Sequence, residues 1–197
     1  VCEAGVITEQ LQQFAEQQGL FYPVNFASSG SSQIGGNIAT NAGGIKVIRY
    51  GLTRDWIAGL KVVTGKGEVL ELNSGLVKNA TGYDLRHLFI GSEGTLGFIT
   101  EAPIRLMRPP RHLSVLVLGV PEFDALMSVS QTFQDQIDLT AFEFFSDLAL
   151  RHVTAKGGVA KPFESDAPYY ALLEFERLSE QTEAQVMDLF EQCVEQG

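Results

Sequence analysis

The sequence is poor in the residues that build metal sites and disulfide frameworks. It contains two cysteines and three histidines among 197 residues. Cys2 and Cys193 cannot form a zinc site or a disulfide framework alone, which is typical of a reducing compartment. His87, His112 and His152 lie far apart in the sequence, and none has a second ligand at helical spacing. We therefore expect surface or packing histidines and predict no metal site within this sequence.

Long apolar runs are also missing. No stretch of about 18 apolar residues occurs, which predicts that no transmembrane helix is present. Residues 1–4 lack a methionine, a basic region and an apolar region, so they are not typical of a secretory signal. We expect the sequence to begin part-way through a longer protein. These absences favour the cytoplasm, or an organelle matrix if the source is eukaryotic.

Positive charge is scarce and unevenly distributed. Residues 1–119 contain 9 acidic and 10 basic side chains, whereas residues 120–197 contain 15 acidic and 4 basic side chains. The formal net charge is −10. An acidic chain without a basic stripe is a poor nucleic-acid binder, because phosphate neutralisation supplies most of that affinity. The acidic half is predicted to be a solvated surface or, alternatively, a docking face for a protein partner.

Glycine is abundant in one region only. Fourteen of the 20 glycines lie between Gly30 and Gly97. Glycine permits positive φ angles and close approach of the backbone to a ligand, so this region is predicted to contain turns and main-chain ligand contacts. The proline pair at 109–110 is incompatible with a continuous helix. We place a domain boundary there, between residues 1–110 and residues 111–197.

Local patterns predict the elements of the first half. Thr8 is expected to be the N-cap of a helix that buries Leu11, Phe14 and Ala15 and ends at Gly19. The remaining predicted elements are a hairpin of strands 58–63 and 68–72 around the turn 64–67, a short helix over 84–89 and a strand over 98–106.

The second half is predicted to alternate strands and helices. Strands are expected at 113–119, 140–145 and 169–175, and a loop at 156–168. Helices are expected from Pro121 (with Phe123, Leu126, Met127 and Phe133 on one face), from Ser146 to Leu150, and from Thr182 (with the stripe Val186, Leu189, Phe190, Cys193 and Val194). This order of elements is typical of a ferredoxin-like unit.

Common nucleotide and nucleophile motifs are absent. Residues 91–97 follow G-x-x-G-x-x-G rather than the Rossmann pattern G-x-G-x-x-G. Residues 59–67 have one residue too many for a Walker A loop, and Gly67 stands where that loop needs a hydroxyl. No Gly-x-Ser-x-Gly elbow occurs. These mismatches argue against a Rossmann domain, a Walker A loop and an α/β-hydrolase triad.

Two other stretches are candidates for binding a phosphate-bearing ligand. We name residues 28–44 the first glycine-rich segment and residues 91–97 the second glycine-rich segment. Both combine small residues with hydroxyl and amide side chains. A diphosphate needs many donors at short range, and backbone N–H groups supply them without a charged side chain. The alternative is that both segments only form tight turns in a twisted sheet.

The amino-acid sequences of these segments, and their order along the chain, resemble the FAD-linked oxidase/dehydrogenase family, which has a flavin domain of the vanillyl-alcohol-oxidase type. Four separated blocks in the same order are far more specific than any one of them, and the resemblance covers almost the whole chain. It is carried by residues 33–44 (QIGGNIATNAGG), 49–51 (RYG) with 59–63 (GLKVV), 78–84 (KNATGYD) and 90–100 (IGSEGTLGFIT).

The resemblance implies an α+β fold in two domains. Residues 1–110 would be the C-terminal part of the FAD-binding domain, and residues 111–197 the start of a ferredoxin-like substrate-cap domain. FAD would be the cofactor. The resemblance assigns its contacts to fourteen residues: Ser31, Ser32, Gln33, Gly35, Gly36, Thr40, Asn41, Ala42, Gly43, Glu93, Gly94, Thr95, Gly97 and Ile99.

The resemblance also implies a reaction. The sequence is most similar to the members of this family that oxidise a D-2-hydroxy acid of the 2-hydroxyglutarate, lactate or glycolate type. In such enzymes a hydride passes to the flavin, and an electron acceptor reoxidises it. A homodimer is a possible assembly for such a protein. The family's catalytic residues, and the ligands of a metal ion in the full-length protein, have no match here, so no catalytic residue is assigned. We expect the chain alone to be inactive and to bind FAD weakly. The alternative is a non-catalytic flavin-domain-like module of a larger complex.

Overall fold

The computed structural model describes residues 1–73 and 76–196. The chain divides into two compact units, Val1–Pro109 and Pro110–Gly197. Within the described residues, no helix is both long and apolar enough to cross a membrane.

The first unit is built on an antiparallel sheet. Its strands are β1 (Cys2–Glu3), β2 (Leu60–Thr64), β3 (Val69–Leu72) and β4 (Gly97–Ala102), in the order β1-β4-β2-β3. The predicted hairpin is confirmed, because Leu60 pairs with Leu72 and Val63 with Val69. The strand predicted over 98–106 ends earlier, at Ala102.

The helices of the first unit are short. They are α1 (Thr8–Gln17), α2 (Ile34–Thr40), α3 (Val47–Tyr50), α4 (Thr53–Trp56) and α5 (Arg86–Phe89). The helix predicted over 84–89, of one turn or two, forms a single turn over Arg86–Phe89. The side chains of Ile34 and Ile38 are fully buried and belong to the same core cluster as Val62 of β2. Their spacing of four residues directs both side chains of α2 to one face.

The start of α1 differs from the prediction. Ile7, rather than Thr8, is the N-cap, and Thr8 is the first helical residue. The Thr8 hydroxyl is buried, where it lies 2.8 Å from Ser32 Oγ and accepts a hydrogen bond from Asn37 Nδ2 at 2.6 Å. This partner lies far away in sequence, so the local capping pattern could not reveal it. Gly19, with φ of 66°, ends the helix as predicted.

Some residues that were predicted to lie on the buried faces of two helices are exposed to solvent. Phe14 of α1 is 56% exposed, although Leu11 and Ala15 are buried as expected. In the second unit, Phe123 is also exposed and lies before α6, which begins later than predicted, and Met127 lies within α6 but is exposed.

The second unit alternates strands and helices in the predicted order. Its elements are β5 (Leu113–Val120), α6 (Ala125–Gln134), β6 (Leu139–Ser146), α7 (Asp147–Ala155), β7 (Tyr169–Glu176) and α8 (Glu180–Gln196). The sheet order is β5-β7-β6, and β7 is antiparallel to both neighbours. This arrangement matches three strands of a ferredoxin-like sheet. The predicted α+β class is confirmed.

Two helix starts in this unit test the capping predictions. The hydroxyl of Ser146 accepts a hydrogen bond from Ala149 N, as predicted, and α7 continues past Leu150 to Ala155. For α8 the prediction was displaced by three residues. Ser179 Oγ accepts from Thr182 N at 3.4 Å, so Ser179 rather than Thr182 caps the helix.

The core of the second unit lies between α6, α8 and the sheet. Phe133 of α6 and Leu173 of β7 are fully buried, and Val186 and Leu189 of α8 belong to the same cluster. The predicted stripe of α8 is correct for these residues, whereas Val194 at its end is exposed.

Candidate cofactor-binding site

The two glycine-rich segments lie side by side in the first unit. Gly91 N donates to Ile38 O at 3.0 Å, and Glu93 N donates to Ala39 O at 2.8 Å. These hydrogen bonds join the second segment directly to α2, which forms the middle of the first segment. The structure therefore brings together two stretches that are about 50 residues apart in sequence.

A cavity of about 990 Å³ opens between these segments. Its volume lies at the upper end of the range for small-molecule and cofactor sites. Nine of the fourteen residues predicted to contact a cofactor line it: Gln33, Gly35, Gly36, Thr40, Glu93, Gly94, Thr95, Gly97 and Ile99.

The other five predicted site residues lie outside this lining and make contacts within the protein. The Ser32 carbonyl accepts from Thr8 N at 2.9 Å, and the Ala42 carbonyl accepts from Thr53 Oγ1 at 2.7 Å. Asn41 adopts a φ of 49° at the end of α2, and its side chain accepts from Arg54 N. The remaining two are Ser31, whose hydroxyl donates to Ser28 O, and Gly43, which packs against Leu52 and Val47.

Sequence reasoning missed several parts of the lining. The first strand contributes Glu3, and the hairpin turn contributes Thr64 and Gly65. Strand pairing explains both, since Glu3 pairs with Glu101 and Thr64 pairs with Gly97. The register between β4 and its neighbours was the signal that could have located them, and it is a long-range property that local patterns do not contain.

The glycines of the cavity have two different roles. A Cβ built on Gly35 would lie 2.7 Å from Ala4 Cβ, and one on Gly97 would lie 2.7 Å from Val62 Cγ1. The absence of a side chain at these two glycines therefore allows α2 to pack closely against Ala4 and β4 to pack closely against β2. A Cβ on Gly36 or Gly94 would meet no atom within 4 Å, so the backbone there is open to the cavity.

Many amides of the two segments are already used within the protein. Gly35 N donates to Ala4 O at 2.8 Å, Ile34 N to Val6 O at 2.9 Å, and Thr95 N to Ser92 O at 3.0 Å. The amides of Gly91 and Glu93 join the two segments, as described above. Fewer N–H groups therefore remain for a phosphate-bearing ligand than the sequence suggested.

The charged residues of the lining are acidic. Glu3, Glu93 and Glu101 line the cavity, and its described lining contains no lysine or arginine. Lys61 Nζ lies 3.2 Å from Glu101 Oε1 and offsets that charge in part. Carboxylates accept hydrogen bonds from hydroxyl and amino groups. The part of the cavity lined by these carboxylates therefore suits the sugar and base of a nucleotide better than its phosphates.

The strongest electrostatic interaction near the second segment is structural. Arg86, which is buried, donates to the carboxylate of Asp84 and to the carbonyl of Ile57. The Arg86 guanidinium lowers the pKa of Asp84 to about 2. The hydrogen bond from Arg86 to the Ile57 carbonyl holds α5 against the chain that leads into β2, and the local ion pair with Asp84 orients the guanidinium for that contact.

Neither cysteine has the lowered thiol pKa of a reactive cysteine. Burial raises the pKa of the thiols of Cys2 and Cys193, which keeps them protonated at neutral pH. Among residues 1–73 and 76–196, no group of three His, Cys, Asp or Glu side chains is arranged to hold a metal ion.

Comparison with known families assigns both halves of the chain. Residues 1–73 match the family described as FAD binding domain, and residues 109–197 match the family described as FAD linked oxidases, C-terminal domain. Both matches are to families of FAD-linked proteins, which indicates FAD as the cofactor.

Curated relatives share a single activity in their names. The chain is 67% identical over 197 residues to D-2-hydroxyglutarate dehydrogenase of Stutzerimonas stutzeri, covering 100% of the chain and 42% of that protein. It is 58% identical over 195 residues to the protein of the same name from Xanthomonas citri pv. viticola, covering 99% of the chain and 41% of that protein. The chain is 42% identical over 176 residues to the mitochondrial D-2-hydroxyglutarate dehydrogenase of Bos taurus, in a match that covers 88% of the chain and 32% of that protein. The chain thus spans less than half the length of these relatives.

Solved structures agree on the fold. Two crystal forms of alkyldihydroxyacetonephosphate synthase match with TM-scores of 0.74 and 0.77 and 22% sequence identity. Each match covers 97% of this chain and less than two fifths of the other.

The residues of the cavity fit FAD. The cavity is large enough for the nucleotide part of a dinucleotide, Gly36 and Gly94 leave room beside the backbone, and the carboxylates of its lining could accept hydrogen bonds from hydroxyl or amino groups. When bound, FAD would supply the redox chemistry.

Proposed function

We propose that this chain is part of an FAD-dependent enzyme that oxidises a D-2-hydroxy acid to the 2-oxo acid, with hydride transfer to flavin. The observation that carries the proposal is the joining of two glycine-rich segments around one cavity in a chain that matches FAD-binding families. The names of the relatives favour 2-hydroxyglutarate over lactate or glycolate as the substrate.

In this proposal the first unit holds the cofactor. Gly36 and Gly94 let the cofactor approach the backbone, and Glu93 accepts hydrogen bonds from its hydroxyl or amino groups. The nine predicted residues that line the cavity contact FAD. The other five, Ser31, Ser32, Asn41, Ala42 and Gly43, support the shape of the first segment. We propose the second unit as the start of the substrate-cap domain, and we assign no catalytic residue to either unit.

The proposal extends to partners and location. An electron acceptor must reoxidise the reduced flavin, and a homodimer is the proposed assembly, which light scattering of the purified protein would test. We propose a cytoplasmic location, or an organelle matrix in a eukaryotic source. The relative from Bos taurus is named as mitochondrial.

The experiment is anaerobic mixing of the purified whole protein with candidate substrates. D-2-hydroxyglutarate is expected to bleach the visible absorption of the bound flavin, and L-2-hydroxyglutarate is the matched control. D-lactate and glycolate rank the alternative substrates. Bound FAD that no D-2-hydroxy acid reduces would contradict the enzyme and favour the non-catalytic module. Protein that binds no FAD would contradict the cofactor site itself.

A further inference from the structure

Arg54 of α4 contacts the first glycine-rich segment at Asn41 and also contacts Ile90, the residue immediately before the second segment, but it does not line the cavity between the segments. We infer that Arg54 is a positioning residue that fixes the spacing of the two segments and thereby strengthens FAD binding. The inference rests on the proposed function, because it concerns the same site.

The first contact of Arg54 is with the end of α2. Its main-chain N–H donates to Asn41 Oδ1 at 3.0 Å. Asn41 is the residue in left-handed conformation that ends α2, with φ of 49° and ψ of 51°. The preceding residue of α4, Thr53, donates to the Ala42 carbonyl from both its N–H and its hydroxyl. The turn of α4 is therefore attached to the first segment by three hydrogen bonds.

The second contact is with the residues immediately before the second segment. Arg54 Nη2 donates to Ile90 O at 3.3 Å, and Nη1 lies 3.4 Å from His87 Nδ1. Gly91 follows with φ of 83°, and a Cβ built on it would lie 3.4 Å from Asn41 Cβ and 3.6 Å from Arg54 Nη2. Arg54 thus links the turn of α4, which is hydrogen-bonded to the first segment through main-chain and Thr53 donors, to the carbonyl that precedes the second segment.

The role of Arg54 is geometric, because none of its described contacts is with a carboxylate. Within residues 1–73 and 76–196, its side chain bonds a carbonyl and a histidine ring and forms no ion pair with a carboxylate. Two main-chain hydrogen bonds, from Gly91 and Glu93, otherwise link the second segment to α2. Without the guanidinium, the second segment would lose its anchor at Ile90, and binding FAD would have to order it at an added entropic cost.

The test is FAD titration of the deflavinated whole protein carrying Arg54→Gln. The dissociation constant of FAD is expected to rise about tenfold, as for the loss of an anchoring contact worth about 1.4 kcal/mol. Arg54→Lys keeps the charge but not the forked donor geometry, so it should recover only part of the affinity. Arg105→Gln is the matched control: Arg105 is an exposed arginine of the same unit, outside the cavity, and its variant should remain within twofold of wild type.

A double-mutant cycle separates positioning from general destabilisation. Asn41→Gly keeps the left-handed conformation accessible and removes the side chain that holds the turn of α4. If both residues act through the spacing of the segments, their effects on FAD affinity are non-additive, whereas independent losses of stability would add. An Arg54→Gln protein with a lower melting temperature but the FAD affinity of the control would overturn the inference, as would strict additivity. If that variant does not fold, Arg54→Lys decides by the same comparison. Failure of the wild type to bind FAD would instead contradict the proposed function.

Discussion

The two units of this chain are stabilised in different ways. In the first unit, helices of four to ten residues are connected by segments that contain positive φ angles, and its cavity is lined by α2, by strand residues and by the second glycine-rich segment. In the second unit, strands of eight residues alternate with longer helices around one apolar cluster. Side-chain periodicity therefore determines the structure of the second unit, whereas close backbone packing at particular glycines determines that of the first.

The largest effect is expected from removing a core side chain of the second unit. Phe133→Ala should lower the free energy of unfolding by about 3–5 kcal/mol, because the ring is fully buried between helix and sheet. Met127→Ala on the same helix should change it by less than about 0.5 kcal/mol, since that side chain is 69% exposed. Urea denaturation measures both. Equal effects would show that α6 does not pack as described.

A backbone substitution tests the corresponding claim for the first unit. Gly59→Ala would place a Cβ 2.0 Å from Asn73 O. Because a main-chain carbonyl cannot move aside as a side chain can, we expect a loss of about 2–3 kcal/mol. Gly65→Ala is the control, since its Cβ would meet no atom within 4 Å. If the two variants unfold at the same urea concentration, close backbone approach does not shape this unit.

The ion pair before the second segment has a smaller effect with a defined pH dependence. The pKa of Asp84 is about 2 in the folded chain, against an ordinary value of 3.8. Its contribution to stability is therefore complete above about pH 4 and is lost as pH falls through 2. Because the carboxylate is 40% exposed, Asp84→Asn should cost about 1 kcal/mol or less at pH 7.

The measurement is the difference in unfolding free energy between wild type and Asp84→Asn at pH 7 and at pH 2. The difference should shrink at the lower pH. Asp188→Asn, on an exposed position of α8, should show no comparable change. A difference that stays constant across this range would mean that the Arg86 guanidinium does not lower the pKa of Asp84.

Local patterns predicted much of this architecture. The hairpin of β2 and β3 follows from alternating residues around a glycine turn, and the buried residues Val186 and Leu189 follow from helical spacing. These signals arise between residues that are close in sequence, so they survive without knowledge of the fold.

Contacts between distant residues were not predictable in the same way. The pairing of Glu3 with Glu101 places a carboxylate from the first strand in the cavity wall. The hydroxyl of Thr8 is used by Ser32 and Asn37 rather than by its own helix. The resemblance located the two glycine-rich segments, but only the fold reveals that several of their amides are already bonded to protein carbonyls.

FAD titration of the whole protein carrying Gly36→Ala and Gly36→Leu tests the central claim most directly. A Cβ at position 36 meets no protein atom within 4 Å, and replacing a helical glycine by alanine stabilises a helix by about 0.5–1 kcal/mol. The account predicts that Gly36→Ala raises the melting temperature of the deflavinated protein while weakening FAD binding, and that Gly36→Leu weakens binding further. Unchanged FAD affinity in both folded variants would contradict a cofactor bound between the two glycine-rich segments.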